Sequence, residues 1–321
     1  MKTHTEIIET ALSQINWQQE PYGLYEPIAY TLSSGGKRIR PALVLMGCDM
    51  FGGKAVEALP AALAVEVFHN FTLLHDDLMD KADLRRNRPT VHQKWNDNTA
   101  ILSGDVMQIK AYQLLSQVPE KHLKSVLDLF STMACEICEG QQYDMDFETR
   151  EDVSAQEYLE MIRLKTAVLL GTALKIGALI GGANAESQNL LYDFGINIGL
   201  AFQLKDDLLD VYGNSDTFGK KIGGDILCNK KTFLLISALQ CAEIDIKSEL
   251  LRWVNAKKYN PNEKISAVTN IYNLLKIKEL SEDKMDFYYQ KALTSLKKID
   301  KNNENWKELH NLATSLMKRE I

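Results

Sequence analysis

Two short acidic clusters hold the residues of this 321-residue chain best suited to chemistry: Asp76-Asp77-Leu78-Met79-Asp80 and Asp206-Asp207-Leu208-Leu209-Asp210. On a helix, Asp76 and Asp80 are four residues apart and share a face, with His69 two turns upstream. Gln203, Asp207 and Asp210 likewise fall along one face, with Asp206 adjacent. Like charges at this spacing repel, and a third beside them demands a compensating cation. The donors are oxygens, with no cysteine near and histidine only flanking, which selects Mg²⁺ over zinc. Mg²⁺ bridges carboxylates to phosphates, so a phosphate-bearing ligand is expected. One such cluster would pass for a solvated helix end. Two, each closing an apolar helix, would not.

A phosphate ligand calls for cations nearby in sequence. Gly35-Gly36-Lys37-Arg38-Ile39-Arg40-Pro41 sets basic residues beside glycines that let backbone approach an anion, and Arg85-Arg86 follows the first acidic cluster. The second cluster is followed by Gly219-Lys220-Lys221 and Asn229-Lys230-Lys231. Both halves thus run acidic, then basic. Competing motifs fail on detail. Gly213 to Lys221 has the wrong spacing for a P-loop and no strand before it. No D-x-D-x-D-G loop is present. Asn70-Phe71-Thr72 matches a glycosylation site but lies inside the helix that leads to Asp76.

The elements that must carry these residues are helices. Helical periodicity predicts segments at Val56–Asp80, Ala100–Leu115, Leu123–Glu139, Ala155–Ile180, Gln188–Asp210, Lys231–Leu239, Ile265–Leu274 and Met285–Leu296, then a final polar helix. Gly35-Gly36, Gly52-Gly53, Gly181-Gly182 and Gly223-Gly224 separate them as connections in a bundle should. The prediction is an all-α fold forming a single domain over 1–321, with no repeat and no flexible linker.

With 45% hydrophobic and 25% charged residues, the composition is that of an ordinary soluble globular protein, and a net charge of −6 argues against a nucleic-acid surface. Five cysteines suit free thiols packed in a core within a reducing compartment; Cys135-Glu-Ile-Cys138 lies in a helical pattern without a second pair for zinc. The start resembles neither a signal nor a transit peptide, and the apolar stretch Ala167–Ala185, interrupted by Lys175, reads as a buried helix rather than a membrane span. A cytoplasmic protein is expected.

The two aspartate motifs, the Gly-Gly-Lys-x-x-Arg segment and the Lys165-Thr166 dipeptide together resemble the trans-isoprenyl diphosphate synthases, over roughly residues 30 to 235. The resemblance implies an isoprenoid synthase fold, one large helical bundle around a deep central cavity, in a homodimer. It implies a Mg²⁺-dependent prenyltransferase that joins isopentenyl diphosphate to an allylic diphosphate, with three Mg²⁺ ions when substrate is bound. Asp76, Asp77, Asp80, Asp206, Asp207 and Asp210 would hold the metal on the allylic diphosphate, assisted by Arg85, Lys165, Lys220 and Lys230. Lys220 and Lys221 are alternatives for one family position. Lys37, Arg40, His69 and Arg86 would hold isopentenyl diphosphate, and Thr166 and Gln203 would line the reacting centre. In this family the residues before the first aspartate line the pocket into which the product grows. A lone aromatic, Phe71, beside Thr72 resembles the C20-forming pattern more than the C15 one. A terpene cyclase would carry an Asn/Ser/Glu motif in place of Asp206–Asp210, and a non-catalytic subunit of a heteromeric synthase would have lost one aspartate motif.

Overall fold

Caps and apolar stripes fix where this chain coils. The computed structural model describes residues 3–213, 222–299 and 304–317, and they are helical almost throughout. In chain order the helices are α1 (His4–Gln14), α2 (Tyr22–Leu32), α3 (Ile39–Met50), α4 (Ala55–Met79), α5 (Val91–Lys94), α6 (Asp97–Leu115), α7 (Glu120–Thr149), α8 (Ala155–Ile162), α9 (Val168–Ile180), α10 (Ala185–Tyr212), α11 (Gly224–Leu227), α12 (Phe233–Cys241), α13 (Ile244–Val254), α14 (Pro261–Leu274), α15 (Ile277–Lys297) and α16 (Glu304–Met317). Among the described residues the strands are β1 (Leu84–Arg85) and β2 (Arg88–Pro89), an antiparallel hairpin. The all-α expectation is met.

Contacts divide the chain into two compact units. The first comprises Met1–Ser131 with Thr172–Leu191. Its centre is α4, buried on nearly every side through Ala58, Ala61, Ala62, Ala64, Val65, Val67, Phe68 and Leu74 and packed against α1, α2, α3 and α6. The alanines let these neighbours approach closely, and the apolar surround anchors the helix that ends in Asp76–Asp80. Asn70 is buried and donates to Glu66 O and Oε1 at 2.8 and 2.9 Å, so no glycan could attach there.

The second unit comprises Thr132–Gly171 with Tyr192–Ile321. α10 runs through two apolar clusters, giving Leu200 and Leu204 to one and Leu208 and Val211 to the other. α12 joins both as well, with Phe233 and Ile236 in the first and Leu234, Leu235 and Ala238 in the second. The second acidic cluster is therefore carried on a helix fixed along its length.

Several expectations need correction. The stretch Ala155–Ile180 is not one regular helix, because a π turn over Arg163–Ala167 separates α8 from α9. α1, α2, α3 and α13 escaped the periodicity analysis; Pro27 and Pro41 lie inside α2 and α3 and interrupt the helical pattern there. Core packing holds for Cys48 alone, since Cys135, Cys138, Cys228 and Cys241 are exposed. Among the described residues, no helix is long and apolar enough to cross a membrane.

Candidate active site

In the first unit, α4 presents the first acidic cluster in two directions. Asp80 is exposed and Asp76 half-buried, whereas Asp77, one residue round the helix, is buried. Arg85 closes on Asp77, its Nε lying 2.7 Å from both carboxylate oxygens, and its Nη2 reaches Asp76 Oδ2 at 3.5 Å. Burial pushes the Asp77 carboxyl above its ordinary value against the pull of Arg85. Burial likewise works against the Arg85 charge, but Asp77, Asp76 and Asp80 hold its pKa above the ordinary value.

A tight hairpin aims the arginines. Arg86 and Asn87 link β1 to β2 with φ of 52° and 59°, the left-handed pair that a type I′ turn requires. Tyr30 pins the hairpin to α2 by donating to Pro89 O at 2.8 Å. Arg86 Nη1 then donates to Gly35 O, and the guanidinium lies so near Gly36 that a Cβ there would sit 3.1 Å from it. Gly36 has φ of 139°, so glycine is needed for both reasons.

The same corner collects the other basic residues expected from sequence. Lys37 is exposed just ahead of α3, and Arg40 lies in its first turn. Arg38 turns the other way, into the core, donating to Glu66 at 2.5 Å, Glu9 at 2.7 Å and Leu32 O at 3.0 Å. His69 lies within the field of Arg40, Arg86, Arg85 and Arg38; burial first, then these charges, hold its pKa well below the usual imidazole value. It is neutral at physiological pH. Phe71 packs at 5.3 Å from Phe68 and 4.8 Å from His75, measured between ring centroids, and is 7% exposed.

In the second unit, Asp207 of α10 is buried, with Asp210 beside it and Asp206 half-buried. Tyr158, itself 1% exposed, donates its hydroxyl to Asp207 Oδ2. Gln203 Nε2 donates to Asp207 Oδ1 at 3.2 Å, and Thr166 Oγ1 to Gln203 Oε1 at 3.4 Å. Burial and the charge of Asp225 push Asp207 up to about 8, against the opposing pull of Tyr158, Lys230 and Gln203.

The π turn places Lys165 and Thr166. It closes with Val168 N–H donating to Arg163 O, one residue wider than an α turn. Lys165 then meets Asp144 of α7, Nζ to Oδ2 at 2.7 Å, and Lys230 Nζ lies 4.0 Å from the same oxygen. Burial works to raise the Asp144 pKa, but Lys230 and Lys165 prevail and hold it below the ordinary value. Gly140, one turn before Asp144, allows the approach: a Cβ there would be 2.3 Å from Lys165 N.

A sequence model described as polyprenyl synthetase matches residues 21–273. The chain belongs to the polyprenyl synthetase family. It is 42% identical over 242 residues to geranylgeranyl diphosphate synthase of Methanosarcina mazei, covering 75% of each chain. It is 41% identical over 251 residues to geranylfarnesyl diphosphate synthase of Natronomonas pharaonis, covering 73% of this chain and 74% of that one. Among solved structures, a geranylgeranyl pyrophosphate synthase matches with a TM-score of 0.93 at 45% identity, with 100% of both chains covered. This polyprenyl synthetase is a short-chain prenyltransferase, and isoprenoid diphosphates are its substrate class.

Within the first unit of this polyprenyl synthetase, the expected Arg40, His69, Arg85 and Arg86 come together, as do Lys165, Thr166, Gln203, Asp207 and Lys230 in the second. Lys220 and its alternative Lys221 lie outside the described residues. Sequence analysis missed Glu66, Asp144 and Tyr158, and it set Arg38 among the cations awaiting an anion, whereas Arg38 is buried on Glu66 and Glu9. Asp144 had a signal, since Gly140, Asp144 and Phe147 fall on one stripe of α7 and a charge on a stripe that buries its neighbours needs a partner.

The donor chemistry fits a divalent metal. Burial raises Asp77 in the first unit and Asp207 in the second, so each buried carboxylate is disfavoured as an anion, and a hard cation at each would favour the charged form. Among the described residues, no three carboxylate, histidine or cysteine side chains form a ready-made cage. A metal held here would complete its shell with oxygens from elsewhere.

Proposed function

We propose that this polyprenyl synthetase condenses isopentenyl diphosphate with dimethylallyl, geranyl or farnesyl diphosphate to give an all-trans product, C20 in preference to C15. What best supports this reading is the gathering of cations on acidic side chains in each unit: Arg85 on Asp77 and Asp76 at the first aspartate cluster, and Lys165 with Lys230 on Asp144. The names of the relatives, geranylgeranyl and geranylfarnesyl, favour C20 or longer. Phe71 followed in sequence by Thr72 rather than by a second aromatic points the same way.

The roles follow the chemistry. Mg²⁺, three ions with substrate bound, supplies positive charge to the departing diphosphate when held by Asp76, Asp77, Asp80, Asp206, Asp207 and Asp210. Arg85, Lys165 and Lys230, with Lys220, add fixed cations that stabilise charge developing on the leaving group. Lys37, Arg40 and Arg86 bind the diphosphate of isopentenyl diphosphate, with neutral His69 as a hydrogen-bonding partner. Thr166 and Gln203 present oxygens to the allylic cation. The double bond of isopentenyl diphosphate attacks that cation, a carbon–carbon bond forms, and released diphosphate takes the proton lost.

The family match runs through residues of both units, which supports treating 1–321 as one synthase domain. Exposed Ile101, Leu102 and Ile109 on α6 favour a homodimer that covers them, and a cytoplasmic location suits the reading. Incubating pure protein with Mg²⁺ and both substrates, then identifying products by mass spectrometry, tests the activity. Absence of any longer prenyl diphosphate would sink it. Gel filtration at the monomer mass would remove the homodimer.

A further inference from the structure

Lys264 has no exposed surface, although it ends the first turn of α14, where the helix dipole disfavours a cation. Burying an ammonium costs more than burying an apolar side chain of similar length, so packing alone gives no reason for lysine here. Its contacts are specific. Nζ donates to Asn229 Oδ1 at 2.6 Å and lies 4.3 Å from the centroid of the Tyr259 ring. Tyr259 in turn donates its hydroxyl to Leu227 O at 3.2 Å.

Both contacts bear on the short segment that delivers Lys230. α11 ends in a Schellman turn: Asn229 N–H donates to Ile226 O at 3.2 Å, and Lys230 N–H to Asp225 O at 2.8 Å. Asn229 takes the left-handed position, with φ of 54°. Glycine suits that position best, and asparagine tolerates it while adding an amide oxygen that glycine lacks. Here that oxygen is what Lys264 grips. The other end of the segment is tied to Asp210, whose carbonyl accepts from Gly223 N at 2.6 Å and whose Oδ2 accepts from Asp225 N at 3.0 Å. Lys230 leaves the turn directly after Asn229, and its Nζ arrives 4.0 Å from Asp144.

We infer that Lys264 is a positioning residue for the allylic diphosphate: its bond to Asn229 fixes the turn that aims Lys230 at the phosphates. The inference rests on the reading of Lys230 as a diphosphate contact.

Two variants separate this role from stability. N229G keeps a left-handed turn and removes the acceptor; K264M keeps the volume and removes the donor. In crystal structures of both, Lys230 Nζ is expected to have moved away from Asp144. In steady-state kinetics, both variants should raise the KM for the allylic diphosphate roughly tenfold, as misplacement of a binding group does, and leave the KM for isopentenyl diphosphate unchanged. K230A should raise the same constant, and the K264M/K230A double variant should add nothing further. An unmoved Lys230 in both structures overturns the positioning role, and so do additive effects of K264M and K230A. Where K230A does raise the KM, a K264M protein with a lowered Tm but unchanged KM would mark the contact as structural alone and overturn the role too. If K230A leaves the KM unchanged, the substrate role of Lys230 fails, and the displacement seen in the variant structures still decides whether Lys264 positions it.

Discussion

Arg85 Nε sits 2.7 Å from each oxygen of the Asp77 carboxylate, so a residue of the first acidic motif is already paired with a cation from its own chain. Asp76 and Asp80 lie four residues apart on the more open side of the helix, and the two kinds of aspartate should respond differently to substitution. D76A is expected to lower kcat by about 10²- to 10³-fold, the cost of removing one electrostatic contact to a developing charge, with circular dichroism unchanged. D77N frees Arg85 and should raise both the Mg²⁺ requirement and the KM for the allylic diphosphate. Unchanged turnover in D76A would count against the metal assignment.

Asp144 should prove as important as either lysine it holds. Without its charge, the ammonium groups of Lys165 and Lys230 would repel each other at close range. D144N is expected to raise the KM for the allylic diphosphate about tenfold, the size of effect seen when a residue orienting a ligand is lost. Steady-state kinetics with isopentenyl diphosphate saturating measures it, and a KM equal to that of wild type would refute the role.

His69 makes stability depend on pH in a defined direction. Its folded pKa lies well below the ordinary imidazole value. Below about pH 6.5 the unfolded chain therefore takes up a proton that the folded protein refuses, and stability falls as the solution becomes more acidic. The slope from this one group reaches at most about 1.4 kcal/mol per pH unit. Urea unfolding of wild type and H69Q between pH 5 and 7 should show a shallower loss in the variant. Parallel curves would show that His69 does not titrate in this way.

Phe71 is 7% exposed and packed between Phe68 and His75, so its removal opens space beside a firm aromatic wall in which Phe68 meets Phe130 at 5.1 Å. F71A should yield products longer than those of wild type by one or more five-carbon units, read by mass spectrometry. It should also cost about 3–5 kcal/mol of stability, typical of a buried Phe→Ala change. Products no longer than wild type would show that Phe71 does not limit chain growth.

Much of this site was legible in the sequence because its parts lie on single helices. Asp76 and Asp80, or Gln203, Asp207 and Asp210, declare their shared faces by spacing alone. The pairings that escaped notice run across long stretches of chain: Tyr158 with Asp207, 49 residues on, Lys165 with Asp144, 21 residues back, and Arg38 with Glu66, 28 residues on. No periodicity encodes such pairs, because each partner obeys its own helix. The hairpin that aims Arg86 escaped for another reason: strands of two residues are too short to show alternation, and Arg86-Asn87 is not the Asn-Gly or Asp-Gly that usually announces a type I′ turn.

The π turn at Arg163–Ala167 fits one residue more into its loop than an α turn would. That surplus residue shifts the angular phase of everything after it by about 100° relative to an uninterrupted rod. Deleting a single residue there would let α8 and α9 merge into one regular helix, with its backbone bonds better made. The ammonium of Lys165 and the hydroxyl of Thr166 would then swing to different compass points. The fault in the helix is a keyway cut for two side chains, and a smoother rod would be a blank that fits no lock.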